Sequence, residues 1–283
     1  MIDEVTGPTS RPENPTIAVW SRGGFTRTYR SRRLRPAEAA LLSAHRARLS
    51  GRMLELGVGA GRITSHLIEL ADSLHGIDIA ADMVAYCRRS FPSATFAVGD
   101  IRDLGAHGSA SIDAVVAGFG VIDVLDDADR GRLFDEIHRI LAPGGLLLFS
   151  SHNLACRPLI RGPLRSLSLN PLRTANRIIR LPRSISNHRR LVPLQQFESD
   201  YAILNDVAHD HSLLHYYIGR DGQERQLEAH GFILLECLDV DGDVVARGDA
   251  AFGNHELHYA AIRADRADEP GADEHSPHDA PSG

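Results

Sequence analysis

The chain has 283 residues, 43% of them hydrophobic and 24% charged, with a formal charge of −6. That is enough apolar material for one large α/β domain with additions, or for two small domains, and the acidic balance argues against nucleic acid as a partner. All 31 basic residues are arginine, which removes any lysine Schiff base, and Cys87, Cys156 and Cys237 match neither a zinc spacing nor a disulfide framework.

Residues 1–15 are polar and proline-rich and read as a disordered leader without the apolar core of a signal peptide. Residues 16–50 read as an N-terminal helical arm. In it Trp20, Phe25, Tyr29 and Arg33 precede a helix opened by Pro36, whose stripe of Leu41, Leu42 and Leu49 stops at Ser50-Gly51. A core over 51–153 follows. Met53–Leu56 is its first strand, and three alternate glycines lead from it into a helix over Ile63–Ala71. Leu74–Ile77 is the second strand, ending at Asp78, and Ala80–Arg89 is helical. Thr95–Val98 is the third strand, ending in Gly99-Asp100, and Ile112–Ala117 the fourth.

Leu133, Phe134, Ile137, Ile140 and Leu141 then recur at one face of a 3.6-residue period. That helix is expected to stop at Pro143-Gly144-Gly145, before a fifth strand over Leu146–Phe149. Residues 154–222 read as an insertion. From Arg157 to Arg190 it holds nine arginines and no acid, and Tyr201–Asp206 and Leu213–Ile218 flank a turn. Asp221 with Glu224 reads as a capping box for a helix over Gln223–His230. The region 223–263 ends with strands Phe232–Leu238 and Glu256–Ile262, and 264–283 is an acidic tail too polar to pack. Strands alternating with helices predict a parallel, doubly wound α/β sheet. No apolar run reaches the roughly 18 residues of a membrane span, so the expected setting is cytoplasmic.

Chemistry concentrates at three strand ends. Gly57, Gly59 and Gly61 permit a sharp backbone turn against a ligand, with helix N–H groups facing it. The dinucleotide fingerprint G-x-G-x-x-G has a third glycine where this chain has Arg62. Asp78, 21 residues after Gly57, is placed to accept from ribose hydroxyls, and Asp100 from an adenine amine while Ile101 covers the ring.

The segment Glu55-Leu56-Gly57-Val58-Gly59-Ala60-Gly61 resembles motif I of the class I S-adenosylmethionine (SAM) methyltransferases. Gly76-Ile77-Asp78, Val98-Gly99-Asp100, Ile112-Asp113-Ala114, Leu141-Ala142-Pro143-Gly144-Gly145 and Gly231-Phe232 extend the likeness. The resemblance implies a seven-stranded, mostly parallel Rossmann-like sheet with its last strand antiparallel, and SAM as cofactor; the insertion between strands five and six, read as a substrate lid, departs from a minimal methyltransferase. It places Glu55, Gly57, Gly59 and Gly61 around the methionine moiety and Asp78 on the ribose. Ile79, Met83 and Ile101 enclose adenine, with Asp100 on its amine, and Gly118, Phe119 and Gly120 line the sulfonium side.

The expected reaction moves a methyl group to an oxygen or nitrogen of a small molecule, such as a specialised metabolite or sugar. His152, at the end of strand five, is the candidate base; Asp123 reads either as a substrate contact or as the cap of the next helix. Tyr216 and Tyr217 are expected to line the pocket. His209, His211 and His215 match no standard metal spacing, so no metal is expected. The arginine cluster admits three readings: an anionic or hydroxylated substrate, peripheral contact with an acidic membrane, or a solvated lid. A non-catalytic SAM-binding scaffold and a nicotinamide-dependent oxidoreductase are the competing functions.

Overall fold

The computed structural model describes residues 15–21, 33–156, 162–163 and 171–264. Phe25, Tyr29, residues 1–14 and 265–283, and most of 157–170 lie outside the described residues.

The centre is a sheet in the order β3 (Thr95–Val98), β2 (Ser73–Asp78), β1 (Arg52–Leu56), β4 (Ile112–Ala117), β5 (Leu141–Asn153). These five are parallel. Beyond β5, β10 (Glu256–Arg263) runs antiparallel and carries β9 (Phe232–Leu238) on its far edge. Strand residues alternate between two apolar layers. Leu54, Val115, Leu147 and Phe149 pack with Leu133, Phe134 and Ile137 of α5 (Asp127–Ile140). On the other face Met53, Ala114, Val116 and Leu148 pack with Ala37, Leu41 and Leu42 of α2 (Pro36–Ala44).

The expected seven strands are present, and three more join them. β6 (Gln196–Phe197), β7 (Tyr201–Asn205) and β8 (Leu214–Ile218) form an antiparallel ribbon. β5 outruns β4 at its carboxyl end, and His152 and Asn153 there pair with Tyr217 and Ile218 of β8. The insertion is therefore partly continuous with the sheet. α1 (Pro15–Ser21) is fastened to the ribbon through Thr16, whose Oγ1 donates to the Leu214 carbonyl at 3.1 Å and accepts from its N–H at 2.9 Å.

Other expectations need correction. The helix expected over Ile63–Ala71 is regular only over α3 (Thr64–Leu67), because hydrogen bonds three and four residues back are mixed along it. β5 begins at Leu141, directly after α5, and passes through Pro143-Gly144-Gly145 with a register shift, so those residues interrupt pairing without ending a loop. α4 (Ala81–Ser90) matches its expected span within a residue. Asp221 and Glu224 form no capping box: α7 (Arg220–Ala229) starts earlier, after Gly219, and both carboxylates pair with Arg220. The arginine-rich segment contains a long helix, α6 (Pro171–Leu191), that the sequence does not announce, since its four-residue apolar spacing is interrupted by Pro182.

Candidate active site

A cavity of about 430 Å³ opens at the carboxyl ends of β1, β2, β3, β4 and β5. Gly59 has a φ of +53° and a Cβ there would meet no atom within 4 Å, so its bare backbone faces open space. Gly61 serves another purpose. With φ at +77°, a Cβ on it would fall 2.2 Å from the Phe91 ring, so this glycine lets the loop pack against α4's end. It does not line the cavity, unlike Gly57 and Gly59.

Asp78 turns inward at the end of β2, accepting from the Gly59 N–H at 2.7 Å and the Ala80 N–H at 2.8 Å. Burial raises its pKa above the usual carboxylate value, against the opposing effect of those N–H groups. Glu55 lies in the wall at 3% exposure and accepts from Thr64 Oγ1 at 2.6 Å. Burial pushes its pKa up to about 8, with the Thr64 bond and Arg62 opposing and Asp78 reinforcing. Ile79, Met83 and Ile101 form an apolar slot, and Asp100 stands at its edge with its carboxylate shared by Arg102 at 2.6 Å. Gly118, Phe119 and Gly120 close the next side.

Phe119 has a φ of +63° and lies 4.3 Å beneath the Arg35 guanidinium and 5.2 Å from that of Arg62. These two arginines are themselves paired, Arg35 with Glu256 and Arg62 with Glu38. A glycine at position 62 would remove this contact, so the departure from the dinucleotide spacing has a structural use. Trp20 and Ile17 of α1 complete the rim.

The other end of the cavity is built from histidines. His152 lines it, and its Nδ1 lies 2.6 Å from Asp123 Oδ2. Asp123 is wholly buried and is not a helix cap; that role belongs to Asp126, which accepts from the Asp129 N–H at 2.8 Å. Asp123 also accepts from the His152 N–H at 2.8 Å, Ser151 Oγ at 2.6 Å and Arg130 Nη1 at 2.7 Å. Burial would raise its pKa, but His152, Arg130 and Ser151 outweigh that and hold it below the usual range. Burial likewise disfavours the His152 imidazolium. The Asp123 bond, with the fields of Asp123, Asp206 and Glu256, prevails and raises the His152 pKa above the usual histidine value.

Tyr216 and Tyr217 do not line this cavity. On a β-strand neighbours point to opposite faces: Tyr216 Oη donates to Asp127 at 2.6 Å on the α5 side, and Tyr217 Oη donates to Asp206 at 2.8 Å beneath the histidines. Sequence reasoning passed over Asp206, Arg35 and Glu256, and weighed His215 only as a metal ligand. Asp206 and Tyr217 support the site, whereas His215, Arg35 and Glu256 line the cavity. The Asp206…His215 spacing was the one available signal, since a carboxylate next to a turn and a histidine on the returning strand can meet across it.

The only group of possible metal ligands among the described residues is His152, Asp206 and His215, with ligand atoms within 4.8 Å of one another. Both Asp206 oxygens already accept hydrogen bonds, from Ala208 N–H at one and from His215 and Tyr217 at the other. This is the pattern of a carboxylate that orients an imidazole. The described arginines of α6 lie away from the cavity, and Arg180 pairs with Asp210 at 3.7 Å.

The glycine loop, the carboxylates ending β2 and β3 and the apolar slot between them fit an adenosine carrying a methionine chain. Residues 53–145 match the methyltransferase domain family. The chain is 33% identical over 132 residues to a probable S-adenosylmethionine-dependent methyltransferase of Mycolicibacterium smegmatis, covering 46% of this chain and 48% of that one. It is 30% identical over 142 residues to the malonyl-[acyl-carrier protein] O-methyltransferase of Enterobacter lignolyticus, covering 50% and 53%. The chain thus spans about half the length of these curated relatives.

Among solved structures, an S-adenosylmethionine-dependent methyltransferase from Clostridium acetobutylicum has a TM-score of 0.56 at 13% identity, covering 81% of this chain and 92% of that one. The 1,6-didemethyltoxoflavin-N1-methyltransferase of Burkholderia thailandensis, solved with 1,6-didemethyltoxoflavin and S-adenosylhomocysteine, has a TM-score of 0.55 at 18% identity, covering 88% and 85%. At these identities the likeness establishes the fold.

Proposed function

We propose that the chain, through its core, acts as a class I SAM-dependent methyltransferase and transfers a methyl group to an oxygen or nitrogen of a small molecule. The observation that carries this reading is the continuity of one cavity. It joins a nucleotide half, built on Gly57, Gly59, Asp78 and Asp100, to a half where His152 stands on a buried carboxylate.

Bound SAM supplies an electrophilic methyl group. In this reading Asp78 holds the ribose, Ile79, Met83 and Ile101 hold the adenine ring, Asp100 marks its amine edge, and Glu55 stands beside the methionine chain. Phe119 and Gly120 then separate the nucleotide half from His152. Asp123 accepts from His152 Nδ1 and so leaves Nε2 as the ring atom able to take a proton from an acceptor hydroxyl. Arg130, fully buried behind Asp123, keeps that carboxylate ionised. Trp20, Ile17 and Phe119 give the acceptor an apolar rim that excludes water. The B. thailandensis neighbour, a 1,6-didemethyltoxoflavin-N1-methyltransferase on the same fold, supports a small-molecule acceptor.

The test is release of S-adenosylhomocysteine by the full chain with a library of hydroxyl and amine acceptors between pH 6 and 9. For a hydroxyl acceptor, His152→Gln should lower kcat by ~10²–10⁴-fold with SAM affinity preserved. The wild-type rate should fall as pH drops through the raised His152 pKa, because the base must be neutral. SAM binding with no turnover on any acceptor would favour the scaffold reading. Near-wild-type turnover in the variant would remove His152 from the chemistry.

A further inference from the structure

The end of the cavity holds a second imidazole built like the first. His215 on β8 stacks on His152, with ring centroids 4.9 Å apart and planes 18° apart. Its Nδ1 lies 2.7 Å from Asp206 Oδ2, which also accepts from Tyr217 Oη at 2.8 Å. The other Asp206 oxygen accepts from the Ala208 N–H at 2.8 Å. Asp206 is 2% exposed, and its pairing with His215 overcomes burial to hold its pKa well below the usual value. A buried carboxylate under a histidine is a costly way to fill a wall that apolar side chains would fill more stably. The nucleotide half makes no use of it. Both rings line the cavity, and in each the nitrogen not engaged by a carboxylate is Nε2.

The stacking limits how many protons the pair holds. Asp123 lies behind one ring and Asp206 behind the other. Arg130 backs Asp123 from α5, His255 and Glu256 approach from the start of β10, and Glu256 is neutralised by Arg35. His209 approaches from the turn before β8. Two imidazolium ions at this separation repel each other, so a proton taken by one ring disfavours a second on the other. With both rings neutral and Nδ1–H toward the carboxylates, the pair offers two bare Nε2 atoms side by side.

We propose that His215 is a second catalytic group, and that the acceptor presents two adjacent heteroatoms to the two rings. This rests on the methyltransferase reading above. The reacting hydroxyl gives its proton to one bare Nε2, and its O–H electrons stay on oxygen. The neighbouring O–H or N–H of the acceptor donates a hydrogen bond to the other Nε2. The new O–CH3 bond forms as the donor's S–CH3 bond breaks with its electrons on sulfur, and the imidazole proton leaves to solvent. The substrate class is a vicinal diol, a catechol-like ring, or a hydroxyl beside an amine N–H. Asp206 and Tyr217 are positioning residues for His215.

Two measurements test this in the full chain. The first needs no acceptor: long-range proton–nitrogen spectra of ring-15N-labelled histidine, from pH 5 to 9. Wild type should show His152 and His215 both carrying hydrogen at Nδ1 in their neutral forms. In His215→Gln the His152 curve should move up, because Asp206 is left unpaired and its field already favours the His152 cation. An unchanged His152 curve would overturn the coupled pair.

The second uses acceptors in matched pairs, each hydroxyl compound with and without a second O–H or N–H on the adjacent carbon. Turnover should favour the two-heteroatom member at least tenfold. His215→Gln should lower kcat/KM on it by ten- to a hundredfold, and the milder Tyr217→Phe by less, with melting temperature and SAM affinity retained in Tyr217→Phe. Equal turnover of both members, or wild-type kcat/KM in His215→Gln, overturns the proposal. If no acceptor is methylated, the methyltransferase reading fails, while the spectra still decide the pairing of the rings.

Discussion

Glu55 gives the sharpest physical test of the site, because its carboxyl is buried beside one hydroxyl donor and has no direct cation. Its pKa rises from the usual 4.5 to about 8 on folding, with burial as the main cause. Between those values the folded chain holds a proton that the unfolded chain has released, so stability falls as pH rises through the window. Within it, each pH step of one costs about 1.36 kcal/mol. Between pH 5 and pH 7 the loss attributable to this group is therefore about 2.5 kcal/mol.

Glu55→Gln keeps an oxygen to accept from Thr64 Oγ1 and removes the titration. With an unfolding entropy of about 2.1 cal/mol/K per residue over the roughly 230 described residues, 2.5 kcal/mol is about 5 °C. Differential scanning calorimetry without SAM should show the variant gaining about 5 °C on wild type between pH 5 and pH 7. Melting curves that stay parallel across this range would refute the buried, protonated carboxyl. The cationic methionine end of SAM, placed against Glu55, should in turn expel the proton. Calorimetry in buffers of different ionisation enthalpy should then count proton release near pH 7 in wild type and none in the variant.

Asp78→Ala should weaken SAM by about 1.5–3 kcal/mol, the range for hydrogen bonds to a charged group; unchanged affinity by titration calorimetry would exclude Asp78 as the ribose partner. Arg130→Met should cost about 3–5 kcal/mol of stability, because it leaves Asp123 buried without its guanidinium and frees the acceptors Gln223 and Ser151. A loss below about 1 kcal/mol in denaturant unfolding would mean that His152 alone sustains the Asp123 charge.

The nucleotide half of the cavity was legible in the chain itself, and there is a physical reason. A phosphate-free adenosine site at parallel strand ends is made from residues local to each βα turn, so Gly57, Gly59, Asp78, Asp100 and Ile101 each announce themselves within a few positions. The boundaries of β3, β4 and β9 were equally plain, because their runs are apolar and bounded by turn residues.

The histidine half was legible only in His152. Asp123 looked like a helix cap because it precedes α5 by a few residues, and only the approach of Arg130, Ser151 and His152 from α5 and β5 makes it a buried anchor. Tyr216 and Tyr217 looked like cavity residues until the register of β8 against β5 sent one toward Asp127 and the other beneath Asp206. That register exists because β5 outruns β4 and exposes His152 and Asn153 for pairing. Local sequence specifies what a residue offers to its own turn. Which distant carboxylate lies under which imidazole depends on strand overhang and packing, which the tertiary structure alone decides.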